Sequence, residues 1–305
     1  MKKLRIVYMG TPDFAVPSLQ ILVENNYDIA AVITAPDKPK GRGQKLSQSP
    51  VKEYALSAGL PILQPTNLKD PEFQKELKSL NANLQIVVAF RMLPEAVWSM
   101  PEIGTFNLHA SLLPQYRGAA PIHWAVINGE TETGLTTFFL KHEIDTGSII
   151  LQEKEAISKT DTTGELYARL MEKGAQLVLK TVKAIENEAY KLTAQDENQE
   201  LKHAPKLFKE NTELQWDEPA EKLYNYIRGL NPFPTAWAVL NGKKYKIHQS
   251  AVVDTNSKGE IGKIITDNKT YLHIQCNPGI LALEVIQPEG KKRMGIADFF
   301  RGNDV

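Results

Sequence analysis

The opening of the chain carries the pattern that most restricts how it can fold. Leu4–Gly10 is a short apolar, β-branched run that ends at a glycine, and Ile29–Thr34 is a second run of this kind. Between them, Ala15–Glu24 carries apolar residues at helical spacing. Apolar runs without alternation are typical of strands buried on both faces, and a helix that joins two of them indicates a parallel β-α-β unit. We therefore predict an α/β fold with a doubly wound, mostly parallel, Rossmann-like sheet.

The turn after the first strand argues against a bound dinucleotide. Residues 10–15, GTPDFA, carry one glycine where the dinucleotide fingerprint G-x-G-x-x-G needs three. Pro12 also lacks the backbone N–H that a pyrophosphate would accept a hydrogen bond from. A nicotinamide or flavin cofactor is therefore not expected.

Composition restricts the partners and the compartment. Lys and Arg number 36 and Asp and Glu also number 36, so any nucleic-acid binding must come from local patches. The single cysteine, Cys276, excludes an internal disulfide, and the histidine spacings do not indicate a metal site, so we expect no metal. The N-terminal apolar run is too short for a signal peptide, and no segment approaches the roughly 20 apolar residues of a membrane span. We expect a cytoplasmic monomer without a membrane partner.

Two polar residues lie on a predicted central strand, Gly104–His109. Asn107 and His109 are two residues apart, so both side chains project from the same face of the strand. Asp145 lies in a short loop before the apolar run 148–151. Acyl transfer uses an amide to stabilise an oxyanion, an imidazole to handle a proton and a carboxylate to orient the imidazole. Polar residues on buried strands more often serve hydrogen bonding in the core, and both interpretations stay open at this point.

Residues 35–50, APDKPKGRGQKLSQSP, form a second candidate functional segment, which we predict to be a loop. The segment holds three prolines, two glycines and four cations against one acid, Asp37. Its cations are Lys38, Lys40, Arg42 and Lys45. One interpretation is a solvated surface loop, and the other is a flexible loop that closes over a phosphate backbone. The pattern does not decide between them.

The rest of the chain predicts a long helix and a second domain. An amphipathic helix is predicted over Thr163–Glu186, with Thr162 and Glu165 as a capping box. Residues 190–207 are polar and non-periodic, so we predict a first domain at 1–189, a linker at 190–207 and a second domain at 208–305. The second domain has a predicted helix and five or six short apolar runs with turn signals, which favour a small, OB-like β-barrel.

Several motifs together resemble the 10-formyltetrahydrofolate-dependent formyltransferases. Within that family the resemblance is to the branch whose acceptor is the initiator methionyl-tRNA, and it covers essentially the full chain. The motifs are NLHASLLP at 107–114, RGAAP at 117–121, DTG at 145–147, MGTPDFAVP at 9–17, DKPKGRGQKL at 37–46 and IRGLNPFP at 227–234.

The resemblance implies a role for each candidate residue. Asn107 and His109 would hold the formyl oxygen as it becomes an oxyanion, and Asp145 would orient the imidazole and help to accept the proton of the attacking amine. The formyl-folate would lie against two segments, and the acceptor end of the tRNA would lie against the cationic loop. The folate-binding residues are Ser111, Leu112, Leu113, Pro114, Phe90, Arg91, Met92 and Leu93. The tRNA-binding residues are Lys38, Lys40, Arg42 and Lys45, with the second domain as a further tRNA platform.

One residue departs from the family pattern, and two other functions remain as alternatives. Arg91 stands where many relatives have glycine, which affects the shape of the folate pocket but not the chemistry. A formyltransferase acting on a small amine, such as an amino-sugar nucleotide or glycinamide ribonucleotide, is one alternative. The latter enzymes usually have a single domain. A catalytically silent RNA-binding relative is the other alternative, which the presence of Asn107, His109 and Asp145 disfavours.

Overall fold

The computed structural model describes residues 2–40, 45–143 and 145–305. The first strands and helices of the chain are β1 (Arg5–Gly10), α1 (Val16–Glu24), β2 (Asp28–Ile33), β3 (Lys38–Lys40), β4 (Lys45–Ser47), α2 (Pro50–Ser57), β5 (Ile62–Leu63), α3 (Pro71–Ser79), β6 (Leu84–Val88) and α4 (Glu95–Trp98). The next are β7 (Gly104–His109), β8 (Arg117–Gly118), α5 (Pro121–Ile127), β9 (Glu132–Phe139), β10 (Ile149–Ala156) and α6 (Thr163–Glu186). The last are β11 (His203–Ala204), α7 (Ala220–Gly229), β12 (Ala236–Leu240), β13 (Lys243–Asp254), β14 (Ile264–Thr266), β15 (Leu272–Gln275), β16 (Ile280–Pro288), β17 (Met294–Gly295) and α8 (Ile296–Phe299).

The chain folds into two compact units. Unit 1 comprises Met1–Arg117, Gly134–Glu155 and Ala168–Lys202, and unit 2 comprises Gly118–Thr133, Ala156–Tyr167 and His203–Val305. Two early segments of the chain therefore belong to the second unit. The domain limits at 189 and 208 stay a prediction.

Unit 1 is built on a seven-stranded sheet in the order β10-β9-β7-β6-β1-β2-β5. Strands β5, β2, β1, β6 and β7 are parallel, and β9 pairs antiparallel with β7. This arrangement confirms the predicted doubly wound, mostly parallel sheet. Strands β1 and β6 are almost wholly buried, as their continuous apolar sequences require. Because β1, β6 and β7 are parallel, their carboxyl ends meet at one edge of the sheet, where such folds bind ligands.

Unit 2 contains an antiparallel sheet in the order β12-β13-β16-β15-β14, with β17 paired to β16. The pairing register of β13 against β16 shifts at three places, and such irregularities bend a strand as a small barrel requires. Asn241 and Gly242 join β12 to β13 with φ of 45° and 78°, the positive values of the type I′ turn that an Asn-Gly sequence favours. Cys276 is buried in this unit's core, where burial raises the pKa of its thiol to about 11. It is a core residue. Strand β17 and helix α8 were absent from the sequence prediction.

Helix α6 spans its predicted residues and begins at its predicted capping box. The backbone N–H of Thr162 donates to the Glu165 carboxylate at 2.8 Å, and the Glu165 N–H donates to the Thr162 hydroxyl at 3.3 Å. The predicted apolar face is buried throughout. Its residues are Leu166, Leu170, Leu177, Val178, Val182 and Ile185.

Across the part of the chain that the structure describes, no helix is long and apolar enough to cross a membrane.

The capping box predicts a measurable stability difference between two threonines. Thr162→Ala removes the acceptor for the Glu165 N–H and should lower the free energy of unfolding by about 1 kcal/mol. Thr160→Ala, two residues away and exposed, should leave it nearly unchanged, and Thr162→Ser should restore the wild-type value. Urea unfolding followed by circular dichroism measures all three. Equal losses of unfolding free energy for Thr162→Ala and Thr160→Ala would contradict the capping role of Thr162.

Candidate active site

Strand β7 brings Asn107 and His109 to the carboxyl edge of the parallel sheet. In the β7–β9 ladder Asn107 pairs with Phe138 and His109 pairs with Thr136. His109 is buried, whereas Asn107 is only partly buried. Among the described residues, none is hydrogen-bonded to the side-chain amide of Asn107. A half-buried amide without a protein partner is available to a ligand.

The loop between β9 and β10 carries Asp145 back to the imidazole of His109. Strand β9 runs antiparallel to β7 and ends beside its beginning, where the Leu140 N–H donates to the Thr105 carbonyl at 2.8 Å. The loop then returns along β7, so that the Asp145 Oδ2 lies 3.9 Å from the His109 Nδ1. The sequence placed Asp145 in a short loop before the apolar run 148–151, but it did not reveal that this loop must reverse direction.

The hydrogen bond of the His109 Nε2 shows which ring nitrogen carries the proton in the neutral imidazole. The His109 Nε2 lies 2.9 Å from the Tyr116 carbonyl oxygen, and a carbonyl can only accept, so Nε2–H donates. In the neutral imidazole, Nδ1 is then the unprotonated nitrogen, and it is the one that faces the Asp145 carboxylate. The 3.9 Å separation is too long for a hydrogen bond but allows an ion pair once Nδ1 is protonated. The pair can therefore accept one proton.

Asp145 and Tyr116, the two residues that flank His109, both have unusual backbone conformations. Their φ angles are 56° and 60°, in the left-handed region that residues other than glycine seldom adopt. Residues held in this region are over-determined by their surroundings and occur often at functional sites. For Asp145, part of that restraint comes from Gln195, whose Nε2 donates to the Asp145 carbonyl at 2.7 Å and to the Gly147 carbonyl at 2.9 Å.

The segment Ser111–Pro114, which the sequence resemblance assigns to the folate site, is held from inside the fold. The side chains of Ser111, Leu113 and Pro114 are buried, and that of Leu112 is partly buried. The Thr136 hydroxyl accepts from the Leu113 N–H at 3.2 Å and donates to the Ser111 carbonyl at 2.7 Å. This segment is therefore rigid, and what it offers to a ligand is backbone and the Leu112 side chain.

Residues Phe90–Leu93, the other segment assigned to the folate, leave the carboxyl end of β6. Leu93 packs into the core of unit 1, Phe90 is partly buried and Met92 is 72% exposed. Arg91 donates to the Thr66 carbonyl at 2.9 Å and to the Pro65 carbonyl, and its guanidinium carbon lies 5.7 Å from the centre of the Phe90 ring. Partial burial lowers the pKa of Arg91. The segment thus presents an apolar surface, and the hydrogen bonds of Arg91 tie it to residues 65–66.

The cationic segment 35–50 contains a short antiparallel pair, β3 and β4, where the sequence predicted only a loop. Its base is fixed by Asp37, whose carboxylate accepts from the Lys52 ammonium at 2.6 Å and from the Gln64 amide at 2.9 Å. The Lys52 and Gln64 hydrogen bonds hold the pKa of Asp37 below its usual range. Lys38 is exposed, and Lys40 pairs in register with Lys45. Arg42 lies outside the described residues.

Two residues with no role expected from the sequence hold this site in place. Gln195 lies in the segment that the sequence predicted as a linker, and Arg117 belongs to a motif whose function was not specified. The Gln195 Oε1 accepts from the Arg117 Nε at 3.1 Å and from its Nη2 at 2.6 Å. Polar residues in a non-periodic segment look like solvated chain, so no sequence pattern marks this contact.

Outside this site, the other ionisable groups that sequence reasoning considered show no comparable arrangement. His142 is exposed, and the His123 Nε2 donates to the Phe233 carbonyl at 3.1 Å. Within the described residues, no group of three or more His, Cys, Asp or Glu side chains is arranged to hold a metal ion.

Comparison with known proteins gives matches over nearly the whole chain. Residues 2–182 match the family model described as formyl transferase, and residues 206–304 match the formyl transferase C-terminal domain. A methionyl-tRNA formyltransferase from Phocaeicola vulgatus is 56% identical over 311 residues, which cover 99% of this chain and 96% of that protein. One from Flavobacterium johnsoniae is 52% identical over 306 residues, with coverage of 99% and 97%.

Solved structures of sugar-modifying enzymes share the fold at low identity. A sugar 3N-formyltransferase, WlaRD, in the presence of dTDP and 5-N-formyl-THF has a TM-score of 0.69 and 21% identity, over 96% of this chain and all of that one. An N-formyltransferase from Helicobacter canadensis in complex with folinic acid and dTDP-3-aminofucose has a TM-score of 0.68 and 22% identity, over 93% and 99% of the two chains. At these identities the likeness concerns the fold alone.

Two threonines of β9 test how the 111–114 segment is held. Thr136→Val leaves the Leu113 N–H without its acceptor, and it should lower the free energy of unfolding by about 1–3 kcal/mol. Thr133 is also buried on β9, but among the described residues its hydroxyl has no partner. Thr133→Val should therefore be neutral or stabilising. Urea unfolding measures the free energy of unfolding of both variants. Equal destabilisation would contradict the role of the Thr136 hydroxyl in holding the 111–114 segment.

Proposed function

We propose that this chain, which belongs to the methionyl-tRNA formyltransferase family, transfers a formyl group from 10-formyltetrahydrofolate to the α-amino group of initiator methionyl-tRNA. Family membership confirms the resemblance inferred from the sequence motifs. The observation that carries the proposal is the grouping at the end of β7: a partly buried Asn107 amide and a buried His109 whose Nδ1 lies 3.9 Å from the Asp145 carboxylate.

The amide of Asn107 suits the oxyanion of the transfer reaction. Attack of the amine on the formyl carbon places negative charge on the formyl oxygen, and the Asn107 N–H groups can donate to it. Because no described residue hydrogen-bonds this amide, it needs no rearrangement to bind the oxygen. Removal of one such preorganised donor typically costs about 10²–10³ in rate.

His109 and Asp145 suit the proton transfer. The attacking amine must lose a proton, and the leaving nitrogen of the folate must gain one. In the neutral imidazole of His109, Nδ1 is the unprotonated nitrogen, because Nε2–H is bound to the Tyr116 carbonyl. Nδ1 accepts the proton, the Asp145 carboxylate stabilises the resulting imidazolium, and the same N–H can then donate toward the reacting atoms.

The proposed folate surface combines two segments at the carboxyl ends of β6 and β7. 10-Formyltetrahydrofolate supplies the formyl group when bound. The exposed Met92 and the partly buried Phe90 offer apolar contact to a flat ring, and Leu112 and the backbone of the buried segment 111–114 offer a rigid wall. Arg91, although exposed, ties the first segment to residues 65–66 through its hydrogen bonds and so stiffens this wall.

On each unit the proposed acceptor surface is cationic, although the chain as a whole is neutral. In unit 1 it consists of Lys38, Lys40, Arg42 and Lys45 on the segment 35–50. In unit 2, exposed lysines lie over aromatic rings: the Lys244 Nζ is 3.5 Å from the centre of the Trp237 ring, and the Lys209 Nζ is 5.7 Å from that of Phe233. Cations over aromatic faces suit contact with phosphates and with unpaired bases. Further exposed cations of this unit include Lys243, Lys246, Lys263, Lys269, Lys291, Lys292 and Arg293.

Substitution of the site residues tests the chemistry. In an assay with labelled 10-formyltetrahydrofolate and methionyl-tRNA, Asn107→Ala should lower kcat by about 10²–10³. Asp145→Asn should lower it by about 10²–10⁴, because the imidazolium loses its counter-charge. Both variants should still bind methionyl-tRNA.

The controls for this assay are the exposed Asn256→Ala and Asp298→Asn, which should behave as wild type. Wild-type turnover in Asn107→Ala would remove the proposed oxyanion role. Transfer by the wild-type protein to an amino-sugar nucleotide, and not to methionyl-tRNA, would reject the proposed acceptor.

Salt dependence tests the cationic acceptor surface. Each lysine that contacts a phosphate contributes roughly 0.7–0.9 to the slope of log affinity against log salt concentration. Lys38→Gln and Lys244→Gln should each weaken binding of methionyl-tRNA and reduce that slope by about this amount. Lys222→Gln is the matched control, because Lys222, on α7, is ion-paired to Glu218 at 2.7 Å. An unchanged slope for both test variants would show that neither lysine contacts a phosphate of the tRNA.

A further inference from the structure

Gln195 differs from its neighbours in the polar segment that follows α6. All ten residues of 191–200 are described, and Gln195 is the only one whose side chain is not exposed. A single partly buried amide in an otherwise exposed polar segment indicates that this side chain contacts another part of the protein. The target is the loop that carries Asp145.

The amide of Gln195 has its hydrogen-bonding capacity used on both sides. Its Nε2 donates to the carbonyls of Asp145 and Gly147, at 2.7 and 2.9 Å. Its Oε1 accepts from the Nε and Nη2 of Arg117, at 3.1 and 2.6 Å. A guanidinium has no acceptor, so the Gln195 oxygen must face Arg117 and its N–H₂ must face the loop. Arg117 thereby sets the orientation of the amide.

The guanidinium of Arg117 is itself held in place. Its Nη2 lies 2.9 Å from the Glu197 carboxylate, two residues beyond Gln195. The segment 191–200 therefore supplies both Gln195, whose amide binds the loop, and Glu197, whose carboxylate positions Arg117.

The loop needs such a restraint. Asp145 lies in the left-handed region at φ 56°, and Gly147 lies against the backbone of Phe139, whose oxygen would collide with a Cβ at that position. The Gln195 amide bridges the carbonyls on either side of residue 146. Without this bridge the Asp145 carboxylate would lose a restraint on its position relative to the His109 Nδ1.

We propose that Gln195, oriented by Arg117, is a positioning residue that holds the Asp145 carboxylate at its working distance from His109. The proposal rests on the proposed function, since it gives Asp145 a role in formyl transfer. Small misplacements of a catalytic group can cost about 10²-fold in rate. Gln195 should therefore affect kcat, and it should not affect binding of either substrate.

Gln195→Glu is the sharpest test, because it keeps the shape and the acceptor for Arg117 and replaces the N–H₂ with an oxygen that repels both carbonyls. We expect kcat to fall by about 10–10²-fold with KM for both substrates unchanged. Gln195→Met removes the donors without adding charge, and its kcat should fall by a similar factor. Gln199→Glu is the matched control: Gln199 is an exposed residue of the same segment that is hydrogen-bonded to Gln115 and Asp196. It should behave as wild type.

A double-mutant cycle separates positioning from a general structural role. If Gln195 acts through Asp145, then Gln195→Glu should cost little further rate in an Asp145→Asn background, measured in single turnovers with enzyme in excess. A purely structural role would lower the rate equally in both backgrounds. Hydrogen exchange of the peptide from Asp145 to Ile150 should also be faster in Gln195→Glu than in the wild type or in Gln199→Glu.

The outcomes distinguish this proposal from the proposed function. A wild-type protein that transfers no formyl group rejects the proposed function. A wild type that transfers normally, with Gln195→Glu and Gln195→Met equally active, overturns the positioning role. Additive losses in the cycle overturn it as well.

Discussion

The hydrogen bond from the His109 Nε2 to the Tyr116 carbonyl determines how the rest of the site is arranged. It uses the only proton of the neutral imidazole and leaves Nδ1 as the nitrogen that can accept another. Everything else follows from which way Nδ1 faces. In the proposed formyl transfer, Asp145 would stabilise the imidazolium from that side, and Asn107, on the same face of β7, would donate to the reacting oxygen.

This arrangement explains why several otherwise unfavourable features are present together. Asp145 and Tyr116 both adopt left-handed backbone conformations, and Gly147 lies where a side chain would not fit. Each of these has a conformational cost that only the surrounding contacts can offset. For Asp145 those contacts include the amide of Gln195, which comes from a segment about fifty positions later in the chain. Precise placement of one carboxylate thus depends on residues that take no part in the chemistry.

Much of the architecture could be predicted from local patterns because local patterns determine it. The apolar runs of β1 and β2, the capping box at Thr162 and the Asn241–Gly242 turn each reflect an interaction between residues close in sequence, or burial on both faces of a strand. Segments were missed where the signal is weak. The short pair β3 and β4 lies among prolines and glycines, and β17 is only two residues long.

The sequence by itself determined which chemical groups are available: an amide and an imidazole on one face of β7, a carboxylate in a later loop, and cations on the segment 35–50. Only the tertiary structure decided how they act. Strand β9 runs antiparallel to β7, so the loop must reverse to bring Asp145 to His109, and Gln195 donates hydrogen bonds to two carbonyls of that loop. Spacing along a chain fixes which side chains share a face, whereas the direction of a returning loop depends on contacts between distant residues that no local pattern encodes.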